Sequence, residues 1–282
     1  MSNLSPQSPM RPLSVGNVVS AGLRIYNSHL KTYTQLSLYA ALWSLVPVYG
    51  WAKAAAISGL ISRLAFGEVI NRPERVDTAQ SQVNSRLWTF LLSAILVGLI
   101  VFGTFLGLYI SLIMVGVFSV GLIGVAFGQQ SSVAIISSIV LFTVLFLLFL
   151  FALTWIYSRF MFAELPIAIE ENVNASQSVN RSWELTKGFV LRIQAILGVA
   201  ILITLPIYIL TQVLAAVIQQ SLANVLVRGS ATYIVVSYIV GYVLGLIINI
   251  WILPFWQAIK AVIYYDLRSR REGLDLRLRD RF

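Results

Sequence analysis

Few side chains in this sequence are placed to do chemistry. The single histidine, His29, stands beside Lys31 at the edge of an apolar segment, where a solvated or headgroup-contacting imidazole is the expected state. Metal-assisted hydrolysis needs several ligands converging on one point, and no His, Asp and Glu residues are spaced to supply them. Glu170 and Glu171 are adjacent, so on a helix they diverge by about 100° instead of sharing a proton. Glu164 follows Arg159 and precedes Pro166 at a helix end, where pairing with a nearby base is expected. Lys260 is close enough to the charged C-terminal segment to extend its ammonium into the polar layer. Asn249, Gln212 and Gln257 are uncharged amides within apolar runs, a type that joins helices or lines a solute path. The residue types therefore predict no enzyme and no cofactor.

The elements that must position these residues are membrane helices. The 72 residues from Leu87 to Ser158 contain no Asp, Glu, Lys, Arg or His. As one helix they would extend about 108 Å, against a hydrocarbon core about 30 Å thick, so the segment must cross and return. Hydrophobic residues make up 58% of the chain and charged residues 11%, and mean hydropathy is +0.84. Soluble domains carry about 25% charged residues, so a soluble surface is excluded. The net charge of +9 does not indicate nucleic acid, because no soluble face is left to carry a basic patch. Cysteine is absent, which removes disulfides and thiolate metal sites. No apolar stretch in the first 30 residues has the length of a signal peptide, so insertion is expected to begin with the first membrane helix.

Apolar runs occupy 33–49, 51–66, 87–127, 132–163, 189–219 and 231–263. The sequence predicts an all-α polytopic protein of about six transmembrane helices arranged as three hairpins. The single membrane domain, 1–282, divides into a cytoplasmic tail and in-plane helix (1–32), a membrane bundle (33–268) and a basic cytoplasmic tail (269–282). The run 87–127 is twice the length of one crossing, and Gly116, Gly121, Gly124 and Gly128 cluster at its end. These glycines predict a spanning helix to about residue 112 and a broken or re-entrant segment beyond it. Basic residues crowd the cytoplasmic ends of membrane helices, and with six crossings only Lys53 and Arg228 fall on the opposite side. Both termini are then cytoplasmic.

Three stretches carry apolar residues at helical spacing just before membrane hairpins: 14–28, 78–87 and 174–188, the last with Asn174 as its N-cap. Interface-plane helices with basic residues toward the headgroups are the expected form. Short internal matches accompany them. Ala79–Leu87 lies near Ala175–Trp183 at an offset of 96, and Gln35, Ala41 and Pro47-Val48-Tyr49 match Gln194, Ala200 and Pro206-Ile207-Tyr208 at 159. Juxtamembrane bases attract anionic lipid at about 1 kcal/mol each. Arg181, Lys187, Arg268, Arg270 and Arg271 are the expected lipid contacts. The expected partners are membrane lipids, with other membrane proteins or self-association besides. The spacings Gly103–Gly107, Gly124–Gly128 and Gly241–Gly245 allow close helix approach.

Two segments carry a family resemblance. The run Asn174-Ala-Ser-Gln-Ser-Val-Asn-Arg-Ser-Trp-Glu-Leu-Thr-Lys-Gly188 and the ending Tyr264-Tyr-Asp-Leu-Arg-Ser-Arg-Arg-Glu-Gly-Leu-Asp-Leu276 resemble the membrane domain found with some bacterial glycerophosphoryl diester phosphodiesterases, which also occurs alone. Leu13-Ser-Val-Gly and Leu23-Arg-Ile-Tyr26 fit the same pattern. The resemblance implies a bacterial inner-membrane protein connected with lipid or envelope metabolism. It carries no activity, since the phosphodiesterase is a separate soluble barrel with paired histidines.

Overall fold

The computed structural model describes residues 14–128 and 131–273, so of the basic tail expected at 269–282 only the first five residues fall within it. Every regular element among the described residues is helical. They are α1 (Val15–Ser28), α2 (Leu30–Ser44), α3 (Tyr49–Val69), α4 (Val76–Asn84), α5 (Leu87–Phe127), α6 (Ser132–Phe160), α7 (Glu164–Ile169), α8 (Ala175–Thr186), α9 (Val190–Val225) and α10 (Ala231–Glu272). Four segments are long and apolar enough to cross a membrane: Leu87–Phe127, Ser132–Ile169, Val190–Val225 and Ala231–Glu272. Their outer halves are apolar on all sides and exposed, with Val125 85% and Phe118 69% accessible. Such surfaces suit a lipid environment, where only structures with internally satisfied backbones persist.

Six crossings were expected; four helices have the length and composition for it. α2 has 15 residues, about 22 Å, which is short of the hydrocarbon core. α3 has 21 residues but carries Lys53, Arg63 and Glu68, and more than half of it is buried in the protein core. The α2–α3 turn nevertheless exposes Leu45, Val46, Val48, Tyr49 and Trp51. It is closed by the Trp51 indole donating to the Ser44 carbonyl at 3.1 Å and by edge-on packing of Trp43 on Tyr49.

The expected break in the 87–127 run is also absent. α5 is one helix of 41 residues that continues through Gly116, Gly121 and Gly124 and stops at Gly128, whose φ is +80°. An isolated glycine costs a helix about 1 kcal/mol. In lipid, breaking the helix costs several kcal/mol for each backbone group left unpaired, so the helix is kept.

The core lies at the opposite end from the tips of the long helices. Its centre is the C-terminal half of α10, where Phe255, Ala258, Ile259, Val262, Ile263 and Tyr264 are buried. α1, α2, α3 and α9 pack around this stretch. Gly22 allows α1 to lie against Ile259, since a Cβ there would stand 2.8 Å from Ile259 Cγ1 and 3.2 Å from its Cα. Gly59 of α3 receives the Phe90 ring in the same way.

A threefold plan is visible in the element order, which runs short helix and then helix pair: α1 with α2–α3, α4 with α5–α6, α8 with α9–α10. Each short helix packs mainly on the pair preceding its own. α4 lies on α3, α8 on α5 and α6, and α1 on α9 and α10, which closes a ring. The first and third units share a register. Val15 and Leu30 open α1 and α2, and Ala175 and Val190 open α8 and α9, each 160 residues later. At that register residues 31–40 and 191–200 have the same order of buried, half-buried and exposed positions. The offset of 159 read from identities is one residue out. Matches among a few apolar letters slip easily, whereas helix starts and buried faces fix the register.

The three amphipathic stretches are helices, but they are built into the core. α8 begins at Asn174 with a capping box, its side chain accepting from Gln177 N while Gln177 caps the Asn174 amide. Its buried face is Ala175, Ser178, Ser182, Leu185 and Thr186, whereas Val179 and Trp183, the apolar residues spaced at i+4 and i+8 from Ala175, are only half-buried. The serines face inward because they bind backbone: Ser178 donates to the Ala163 carbonyl, and Ser182 to the Arg159 carbonyl at 2.7 Å.

Candidate functional site: a cavity between the long helix pairs

The two long pairs touch each other chiefly along α6 and α9. Beside that contact lies a cavity of about 790 Å³ lined by α6, α9 and α10, within the size range of small-molecule sites. Its walls are apolar and include Phe151, Leu197, Ile201, Ile252 and Leu253. Its polar side chains come from each helix: Thr154 and Tyr157 of α6, Gln194 and Thr204 of α9, and Asn249, Gln257 and Lys260 of α10.

The floor is organised by fixed pairs. Lys260 Nζ stands 2.8 Å from Glu164 Oε1 at the start of α7, their side chains 13% and 22% exposed. The expectation that Glu164 takes a base is met, and Lys260 is that base. Gln257 is only 2% exposed, and its Oε1 accepts from Ser62 of α3 at 2.9 Å. Gln194 donates to Thr154 Oγ1 at 3.0 Å, and Thr154 donates in turn to the Phe151 carbonyl at 2.9 Å. This hydroxyl therefore has no base to activate it. Asn249 and Leu253 also line a second cavity of about 430 Å³ between α10 and the α2–α3 pair. Gln212, grouped with Asn249 and Gln257 in the sequence, is not in either lining.

The bases expected to meet anionic lipid are largely engaged within the fold. Arg181 pairs with Glu170 at 3.4 Å and with Glu272. Burial alone would lower the Arg181 guanidinium, but Glu170 and then Glu272 outweigh it and hold it above its ordinary value. Arg268 pairs with Glu272 at 3.0 Å and lies 3.7 Å from Glu170, which also accepts from the Tyr264 hydroxyl at 2.6 Å. Arg270 pairs with Asp266 at 2.9 Å, and Asp266 also takes Arg192 at 3.1 Å. Arg271 donates to the Lys187 carbonyl, and the Lys187 residue is exposed. These bonds tie α8 and the α8–α9 turn to the end of α10. The adjacent glutamates are divided as expected, Glu170 within this network and Glu171 exposed.

Three arginines that sequence reading gave no role serve as fasteners. Arg159 lies 4.0 Å from the Trp183 ring centre and 5.0 Å from that of Trp155, and donates to the Trp183 carbonyl at 3.1 Å. Arg86 donates to the Ile167 and Glu170 carbonyls, and Arg63 to the Ala168 carbonyl and Glu74. The available signal was position for two of them: Arg86 and Arg159 stand at helix ends beside aromatic-rich segments, whereas Arg63 lies inside α3. His29 Nε2 lies 3.4 Å from Glu68. Among the described residues no three His, Asp or Glu side chains gather as a metal site.

No protein-family model, no curated protein and no solved structure matches this chain. What the fold defines is a class, a multi-pass helical membrane protein, and the cavity is a large recess in it with a mixed polar and apolar lining.

Proposed function

We propose that this is a non-enzymatic integral membrane protein that organises lipids, in lipid or envelope homeostasis. The observation that carries this reading is the cavity between α6, α9 and α10. Apolar walls and a polar floor at the charged end of a lipid-facing bundle match the shape of an amphiphile. The resemblance to the phosphodiesterase-associated membrane domain supports a bacterial inner membrane as the setting, with both termini cytoplasmic. We read four crossings by the long helices and place the α2–α3 pair as an insertion into one leaflet, because its turn is apolar while its helices are short or charged.

The test is purification in mild detergent followed by mass spectrometry of the accompanying lipids and proteins. The reading expects one lipid class enriched over its share of the source membrane. No lipid preference and no copurifying protein would overturn it. A small-solute or lipid transporter is the second reading, favoured by Asn249 and Gln257 facing the same cavity. Concentration-dependent solute flux in proteoliposomes, abolished by filling the cavity, would select that reading.

A further inference from the structure

The charged and most of the amide groups of the cavity gather at one end, with Asn249 and Thr204 the polar side chains deeper along it, and this distribution has a depth. From the Ser230 cap to Lys260, α10 rises about 44 Å, close to the thickness of a bilayer with its polar layers, about 40–45 Å. On α9, Gln194 to Gln219 rises about 38 Å, and Gln194 lines the same cavity as Lys260. Lys260 and Gln194 thus stand at the depth of one headgroup layer, while Ile201 and Tyr208 stand at the depth of acyl chains.

Lys260 lines the cavity, and Glu164 does not. An ammonium has three donors, of which the Glu164 bond uses one, so two remain for a ligand. The Gln257 carbonyl oxygen accepts from Ser62, so what this lining residue has left to offer a ligand is chiefly its amide N–H groups. The Gln194 amide is committed to Thr154. The floor therefore offers N–H donors, with the Lys260 charge shared with Glu164 but only its ammonium facing the cavity, and what suits it is a group rich in acceptors. A headgroup ammonium would meet the wrong charge there. Phosphate oxygens are suited to such a site.

We propose that the cavity holds a single glycerophospholipid, its phosphodiester on the Lys260 ammonium and the Gln257 amide and an acyl chain along Leu197 and Ile201. This rests on the lipid-organising reading and names the chemistry it requires. The α6–α9 contact closes one side, so the lipid enters laterally from the bilayer.

The experiment uses the full chain, stripped of lipid in detergent and titrated with phosphatidylglycerol, with retained lipid counted by native mass spectrometry. Two variants locate the site. Gly198→Phe fills the cavity from a lining position where an added Cβ meets nothing within 4 Å, so folding should be unaffected. Lys260→Gln with Glu164→Gln removes the charge without leaving an unpaired carboxylate. The wild type should retain one lipid tightly, and each variant should bind it at least tenfold more weakly. Glycerol 3-phosphate at the same concentration should fail to compete, because it lacks the chains. Equal retention by the wild type and both variants would overturn the site while the lipid-organising reading stood. Competition by glycerol 3-phosphate as strong as by lipid would reduce the site to one for free phosphate esters and overturn the proposal. A wild type that retains no phospholipid would remove both.

Discussion

Closure of the helical ring by α1 can be tested at two glycines of that helix. Gly16 and Gly22 both sit in α1, and replacing either by alanine gains about 1 kcal/mol of helix propensity. At Gly16 the new methyl meets open space. At Gly22 it would lie 2.8 Å from Ile259 Cγ1 and 3.2–3.3 Å from the Ile259 backbone, which cannot rotate away. Overpacking of this kind costs about 1–3 kcal/mol. The net effect at Gly22 is then a loss of about 0–2 kcal/mol, against a gain of about 1 kcal/mol at Gly16. At roughly 2 °C per kcal/mol for a chain of this size, the two variants should melt about 2–6 °C apart, Gly22→Ala lower. Tryptophan fluorescence in detergent reads the transition. In an Ile259→Ala background the cost of Gly22→Ala should shrink, since the contact atom is gone. If Gly22→Ala melted at or above Gly16→Ala, α1 would not be seated on α10 and the ring would be open.

Four further outcomes are expected. Single cysteines in this cysteine-free chain at Ser131 and Gly229 should be labelled by an impermeant reagent from the membrane face opposite that for Ser269, whereas Pro47→Cys in the α2–α3 turn should be shielded from both; labelling of Pro47→Cys from the Ser131 side would restore six crossings. Arg159→Lys loses the stacking between Trp155 and Trp183 and the fixed donor to the Trp183 carbonyl, and should cost about 1–2 kcal/mol in denaturant unfolding. Asn174→Ala removes the α8 capping box and should cost about 1 kcal/mol, with faster amide exchange confined to the first turn of α8. Lys260→Met should destabilise more than Lys260→Met with Glu164→Met, because only the single variant leaves a half-buried carboxylate unpaired.

The long helices, the N-cap at Asn174 and the pairing of Glu164 with a base were legible in the sequence, because each rests on composition or local spacing. The span count was not. The 33–49 and 51–66 runs are apolar enough to pass for membrane segments, but much of that apolar character is used against α10 and α5, and only the fold shows which partner takes it. The same holds for Arg181, Arg268 and Arg270. As letters they form a basic patch for lipid; the i,i+4 pairs Asp266–Arg270 and Arg268–Glu272 are readable along one helix, whereas Glu170 on Arg181 and Arg268, and Glu272 on Arg181, are brought in only by the fold. Ser178 and Ser182 point inward on α8 because the Ala163 and Arg159 carbonyls accept from them, which no local spacing shows. The cavity was half visible: Asn249, Gln257 and Lys260 share a face of α10, but Gln194 and Thr154 join them only through tertiary packing.

The seat of α1 on the last helix pair has a consequence for biosynthesis. Gly22 and Ile259 meet across most of the chain, so α1 cannot be fully seated until α10 has been made. In the interval the Val18, Val19 and Ile25 face of α1 must be held by the membrane surface or by a chaperone. A chain that stalls before α10 therefore leaves much of the apolar face of α1 uncovered, which distinguishes an unfinished molecule from a finished one.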